Sequence, residues 1–222
     1  MMPKTAGPHG PAHAAALPVA LSLLLLCVAL SYWPGLTGSF LLDDATNIAP
    51  LGDNGGIHSL ADFKRYVLGG HAGPLGRPLS LASFVADAQT WPSDPWPFKL
   101  TNLLIHLLNT VLVFVLACQL LTLAKSRRPH IGALLCAALW GLHPLHVSTV
   151  LYVVQRMTEL AATFTLLGLI LFVHGRVVAH ARPALGYFWM SAGIGLCGSL
   201  AVLSKESGAQ LPLLALCVEL LI

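Results

Sequence analysis

The chain has 222 residues, 56% hydrophobic and 9% charged, with a mean hydropathy of +0.76, against roughly 25% charged residues in an average soluble domain. That balance excludes a water-soluble globular domain and points to an integral membrane protein. The formal charge of +3 comes from a few basic residues beside apolar runs, which mark topology rather than a nucleic-acid surface, so no nucleic-acid partner is expected.

A bilayer core about 30 Å thick takes roughly 20 apolar residues as helix, and residues 17–36 form the first such run. Lys4 precedes it, as in a secretory signal. The run is longer than a signal core of about 7–15 residues, however, and no A-x-A cleavage site follows, so a retained span is expected. Residues 1–16 are then a cytoplasmic segment and residues 17–222 a single membrane module.

Residues 37–97 form a long loop that opens on "GSFLLDDATNIAP". The stretches "DNGG" and "GGHAGPLGRP" are turn signals. Between them "SLADFKRYVL" and after them "RPLSLASFVADAQTW" pair a start signal with apolar residues at helical spacing. Two short interfacial helices are predicted, with Trp91 and Trp96 at headgroup level.

Further spans are predicted at 98–123, 131–146, 148–173 and 186–204, and a sixth at 208–222 meets the C-terminus before it is clearly complete. The expected fold is all-α, a polytopic bundle of about six spans. In the fifth, Ser191, Gly195 and Ser199 recur every four residues as a packing face. All five cysteines lie in apolar runs without CxxC spacing, so neither disulfides nor a zinc site is indicated.

The loops "AKSRRPH" and "HGRVVAHARP" hold Lys125, Arg127, Arg128, Arg176 and Arg182 without an acid and are expected to be cytoplasmic. The 37–97 loop, the "HPLH" turn and the "SKESG" turn then share the outer side. That turn suits a bacterial periplasm, with a lumen as the other reading. A bacterial inner membrane is expected, with the N-terminus cytoplasmic and the site facing the periplasm.

Ionisable groups at a span cost several kcal/mol unless partnered, and here they gather on the outer side. Asp43 and Asp44 leave the first span. His143 and His146 lie at the next outer turn, and Lys205 and Glu206 at the last. Tyr152, Gln155, Arg156 and Glu159 fall at i, i+3, i+4 and i+7, one face of a continuous helix. Each has a structural alternative: an interface marker for the aspartates, an i, i+3 ion pair for Arg156 and Glu159, an ordinary turn for the histidines. The i, i+3 histidines could also serve a metal. Nucleotide-binding and common hydrolase motifs are absent. Carboxylates and cations at a membrane edge suit a lipid-linked phosphate donor, with a carboxylate taking a proton from an acceptor hydroxyl and Arg or Lys holding the phosphate.

The ordered series "FLLDD", "GRPLSLASF", "FKLTNLLIHLLNTVLVFVL", "ALLCAALWGLHPLHVSTVLYVVQRMTELAATF" and "LAVLSKESGAQLPLL" resembles the amino-terminal membrane half of the TMTC-like proteins. These are transmembrane and tetratricopeptide-repeat O-mannosyltransferases and their bacterial relatives, within the GT-C class of polytopic glycosyltransferases. The resemblance covers nearly the whole chain from about residue 17. It implies transfer of a sugar from a polyprenyl-phosphate donor to an acceptor hydroxyl at the outer face, with protein Ser/Thr the acceptor.

By the same resemblance Asp44 is the base or metal-binding carboxylate and Asp43 its support, with the reverse order open. Arg156 and Lys205 match positions facing the donor phosphate. His143, His146, Tyr152, Gln155, Glu159 and Glu206 line the pocket, and Arg77 positions the surface helices. No cofactor is fixed beyond a divalent metal that the carboxylates could hold. GT-C chains carry more spans and TMTC-like chains a further repeat domain, so the chain is expected to be a fragment or a short form working with a partner subunit. A non-catalytic scaffold that keeps the fold is the alternative, and a transporter suits the one-sided charges less well.

Overall fold

The computed structural model describes residues 11–71 and 73–221. The predicted cytoplasmic segment 1–16 lies mostly outside the described residues, as do Lys4 and Ile222. The described residues are helical, with no strand among them.

Helix α1 (Pro11–Tyr32) runs into a 3-10 turn at Trp33–Thr37. The outer loop then packs as a small unit rather than as two isolated surface helices. It contains α2 (Asp44–Ile48), a 3-10 segment at Ala49–Gly55, α3 (Leu60–Leu68) and α4 (Pro78–Phe84). Ser59 and Asp62 start α3 with a reciprocal capping box, as the Ser-x-x-Asp pattern allows. Ile48, Leu51, Tyr66, Val67, Leu81 and Phe84 form its core, and they close over Phe98, Val153 and Met157 at the top of the bundle. Trp91 is drawn into this core against Phe40, with ring centroids 5.0 Å apart, whereas Trp96 is exposed.

The bundle follows. Helix α5 (Pro95–Leu123) starts on the Asp94 cap, where the carboxylate accepts from Trp96 N. Next come α6 (Pro129–Gly141) and the short α7 (His146–Leu151). Helix α8 (Arg156–Ala179) is entered through a 3-10 turn at Val153–Gln155. Then α9 (Pro183–Ser191) passes through a π-helical turn at Ala192–Cys197 into α10 (Gly198–Ser204), and α11 (Leu211–Leu221) follows a 3-10 turn at Glu206–Gln210.

Four stretches are long and apolar enough to cross a bilayer: Ala16–Thr37, Pro95–Leu123, Val153–Ala179 and Pro183–Ser204. The chain is an integral membrane protein built as an all-α bundle. The predicted 131–146 segment is the 13-residue α6, and 208–222 is helical over Leu211–Leu221.

The predicted span at 148–173 is displaced, because the chain breaks at Tyr152 (φ −97, ψ 111). The break frees backbone groups that must find partners in an apolar setting, and side chains supply them. Asp44 Oδ1 accepts Val154 N at 2.7 Å, and Asn102 Nδ2 donates to the carbonyls of Tyr152 and Val153.

The predicted Ser191, Gly195 and Ser199 packing face is corrected as well. All three residues are exposed, and nothing lies within 4 Å of where a Cβ on Gly195 would be. The close contact is made on the other side of the helix, by Gly186 and Gly193. A Cβ on Gly193 would lie 2.5 Å from Gly168 O, and one on Gly168 2.8 Å from Gly193 O. The stripe keeps one side of the helix, but that side is turned away from the bundle.

Candidate functional site at the outer end of the bundle

The two adjacent aspartates do different things. Asp44 is fully buried, and its carboxylate accepts Leu41 N at 2.8 Å and Val154 N at 2.7 Å. Burial pushes its carboxyl above the usual range, against the backbone hydrogen bonds and the charge of Lys99, which pull the other way. Asp44 therefore clasps the outer loop to the α7–α8 break. Asp43 is exposed, and its backbone N–H donates to the Tyr152 hydroxyl at 2.9 Å. Of the pair, Asp43 has the carboxylate open to a substrate.

Arg156 is fully buried beneath the outer unit. It pairs with Asp87 at 2.5 Å, donates to Asn102 Oδ1, Ser83 O and Phe98 O, and lies against the Phe84 ring, 4.8 Å from its centroid. Every face of the guanidinium is occupied, so it has no open side for a phosphate. Nor is its ion pair the i, i+3 one with Glu159. Glu159 is buried deeper, with neither carboxylate oxygen partnered in the protein.

The predicted i, i+3, i+4, i+7 face is thus divided. Tyr152 and Gln155 precede the helix, Arg156 and Glu159 point into the bundle, and Thr158 takes up the outward polar line. Thr158 Oγ1 donates to Gln155 Oε1 at 2.7 Å and accepts Lys205 Nζ at 2.7 Å. Beside Lys205, Glu206 pairs with Arg77 at 2.9 Å. Burial lowers the Lys205 ammonium pKa, the Arg77 charge adds to this, and Glu206 opposes it. Arg77 holds a left-handed backbone (φ 53, ψ 53) at the start of α4, an uncommon conformation for a non-glycine residue.

Below this line lies a cleft of about 280 Å³. Its outer end carries Thr158, Ser207 and Gln210, and its deeper wall is Thr165, Leu166, Leu169 and Leu214. Trp140 also lines it, stacked on His106 at 4.8 Å and tilted against His146 at 4.6 Å. His143 meets His146 edge to face at 6.2 Å and is itself exposed. Among the described residues no group of three or more His, Cys, Asp or Glu side chains takes a metal-binding arrangement.

Four polar residues that the sequence reading passed over set this geometry: Lys99, Asn102, His106 and Asn109, all buried on α5. Lys99 Nζ donates to Gly38 O and Ser39 O, His106 bonds Gly141 O, and Asn109 Nδ2 donates to Glu159 O. Their i, i+3, i+7, i+10 spacing on an apolar helix was the signal that could have found them.

No family model and no solved structure matches the chain. Among curated proteins it is 29% identical over 212 aligned residues to the protein O-mannosyl-transferase TMTC4 of Homo sapiens, covering 84% of this chain and 27% of that protein. To Tmtc1 of Drosophila melanogaster it is 33% identical over 131 residues, covering 56% and 15%. To TMTC3 of Mus musculus it is 26% identical over 155 residues, covering 66% and 16%. The chain is TMTC-like. It spans between 15% and 27% of the length of these relatives. In this TMTC-like chain the outer end of the bundle therefore combines an exposed carboxylate, a cationic cluster and a cleft that becomes apolar with depth.

Proposed function

We propose that the chain is the membrane module of a protein O-glycosyltransferase that uses a polyprenyl-phosphate-linked sugar at the outer face of a bacterial inner membrane, the N-terminus lying in the cytoplasm. The relatives are named protein O-mannosyl-transferases, which supports the reaction class. The observation that carries the site is the cleft beside α8. Its polar end carries Thr158, Ser207 and Gln210, with Lys205 hydrogen-bonded to Thr158 and the Arg77–Glu206 pair next to Lys205, and its apolar wall descends to Leu169 and Leu214. A lipid phosphate has that polarity: the phosphate meets the cations and the chain follows the apolar wall.

In this reading the Asp43 carboxylate takes the proton from the acceptor hydroxyl. The hydroxyl oxygen bonds to the anomeric carbon as the bond from that carbon to the phosphate oxygen breaks. The phosphate departs with the electron pair, and Lys205 and Arg77 hold its charge. Asp43 is assigned the base because it is exposed, and Arg77 replaces Arg156 as the second cation because Arg156 is enclosed. Tyr152, Gln155 and Thr158 connect the base to the cations along one edge.

The test uses the full protein in membranes with a polyprenyl-phosphate mannose and a Ser/Thr peptide. Asp43→Asn and Lys205→Met are each expected to lower transfer by a factor on the order of 10² or more while unfolding at the wild-type temperature. If both variants fold and transfer at the wild-type rate, the module is a scaffold and the assignment fails.

A further inference from the structure

The opposite end of the bundle holds a second cleft that the glycosyl-transfer reading does not use. It measures about 350 Å³ and lies between the last turns of α5 and α8. Leu123, Val173 and Val177 give it an apolar wall, and Cys118, Gln119, Thr122 and His174 line the rest. Gln119 Oε1 is buried without a protein partner, and Cys118 lies 3.6 Å from His130 Nδ1 on α6. Polar side chains in a cleft between two membrane helices call for a partner that is itself part polar and part apolar.

The charge at this end identifies the partner. Lys125, Arg127 and Arg128 follow α5 directly and are exposed, and none makes an ion pair among the described residues. Arg182 follows α8, and Arg176 there is bound to Glu219 at 2.6 Å. Lys125 adds an independent sign. The α5 terminus is a complete Schellman turn, with Ser126 N donating to Leu121 O and Lys125 N to Thr122 O. Its left-handed position (φ 54) holds Lys125, where glycine is the unstrained residue. A strained lysine just after Leu123 of the cleft wall calls for a role for its charge.

We propose that this cleft binds an anionic phospholipid, with the headgroup phosphate held by Lys125, Arg127 and Arg128 and one acyl chain lying on Leu123, Val173 and Val177. Basic pockets between membrane helices on the side with excess Lys and Arg recognise headgroups in this way. A free phosphate would leave the apolar wall uncovered, so the lipid is the fitting source.

The test is native mass spectrometry of the full protein released from membranes containing equal amounts of phosphatidylglycerol and phosphatidylcholine. Wild type is expected to retain phosphatidylglycerol preferentially. The triple variant Lys125→Gln, Arg127→Gln, Arg128→Gln is expected to lose that preference by at least about ten-fold, since each charge near the surface contributes roughly five-fold. Val177→Trp, which fills the cleft and leaves the charges, is expected to reduce retention of both lipids. Lys125→Gly is expected to weaken phosphatidylglycerol retention without lowering the unfolding temperature, which separates lost binding from misfolding. Equal retention of the two lipids by wild type, or wild-type retention by the charge or cleft variants, overturns the proposal.

Discussion

At Asp43 and Asp44 one side chain is a structural part and its neighbour is open to solvent. Asp44→Ala leaves the N–H groups of Leu41 and Val154 without their acceptor; the buried Val154 N–H costs about 1–3 kcal/mol and the part-buried Leu41 N–H about 1 kcal/mol, so a loss of about 2–4 kcal/mol in stability is expected. Asp44→Asn keeps one acceptor oxygen and is expected to lose less. Asp43→Asn is expected to leave stability within about 0.5 kcal/mol of wild type, so thermal unfolding of the three variants orders them. A loss at Asp43 equal to that at Asp44→Ala would show that the clasp has been misassigned. Glu206 provides a pH signature. Burial raises its carboxyl pKa, but the hydrogen bond from Arg77 and the charges of Arg77 and Lys205 outweigh this and leave it below the ordinary value of 4.5. A depressed carboxyl binds fewer protons when folded, so its contribution is complete above pH 4.5 and is lost as pH falls through the folded pKa. The pair is part-exposed, and about 1 kcal/mol is expected for it. Glu206→Gln should flatten that part of the acid-stability curve, and an unchanged slope would show that the pair contributes nothing there.

Among the elements, the long apolar helices were legible because composition and length decide them: the first, second and fifth predicted spans recur with ends shifted by a few residues. Lys205 and Gln155 do meet at one end of the bundle, through Thr158, as their place at the ends of neighbouring apolar segments suggested. Periodicity read across a discontinuity was not legible, because it assumes an unbroken helix. The break at Tyr152 separated four residues that seemed to share a face, and spacing alone did not say which side of the 183–204 helix packs, since the Ser191, Gly195 and Ser199 stripe is exposed. The break has no local signal in the residues that make it. It depends on Asp44 and Asn102, which are distant in sequence. The glycines test which side of the helix packs. Gly193→Ala places a methyl against Gly168 O and is expected to cost about 1–3 kcal/mol. Gly195→Ala meets open space and is expected to be neutral or stabilising by up to about 1 kcal/mol, from the lower entropy of the unfolded chain. Equal effects at the two positions would mean that the packed side of this helix has been misassigned.

The molecule as a whole is a packed outer unit seated on a membrane bundle, and the joint between them is polar. Asp87 from the outer unit meets Arg156 at the top of α8, Thr101 on α5 donates to the same carboxylate at 2.6 Å, and Asn102 holds the guanidinium from the other side. Neither Asp87 nor Arg156 lines the α8 cleft, yet this joint sets where the outer loop, with Asp43 and Arg77, sits over it. Removing one partner of a buried pair leaves the other charge uncompensated, at a cost of about 3–5 kcal/mol, whereas replacing both with apolar residues of similar volume is far milder. Asp87→Ala is therefore expected to lower stability by that amount and to reduce glycosyl transfer, although it touches no proposed substrate. The double variant Asp87→Leu, Arg156→Met is expected to recover more than half of the stability. If the pair acts only through packing, transfer returns with it; if its polarity also aligns the outer loop, transfer stays low after stability has recovered. Unfolding temperature and transfer rate measured on the same three proteins separate these outcomes. A double variant less stable than Asp87→Ala would show that the joint is not an ion-pair clasp.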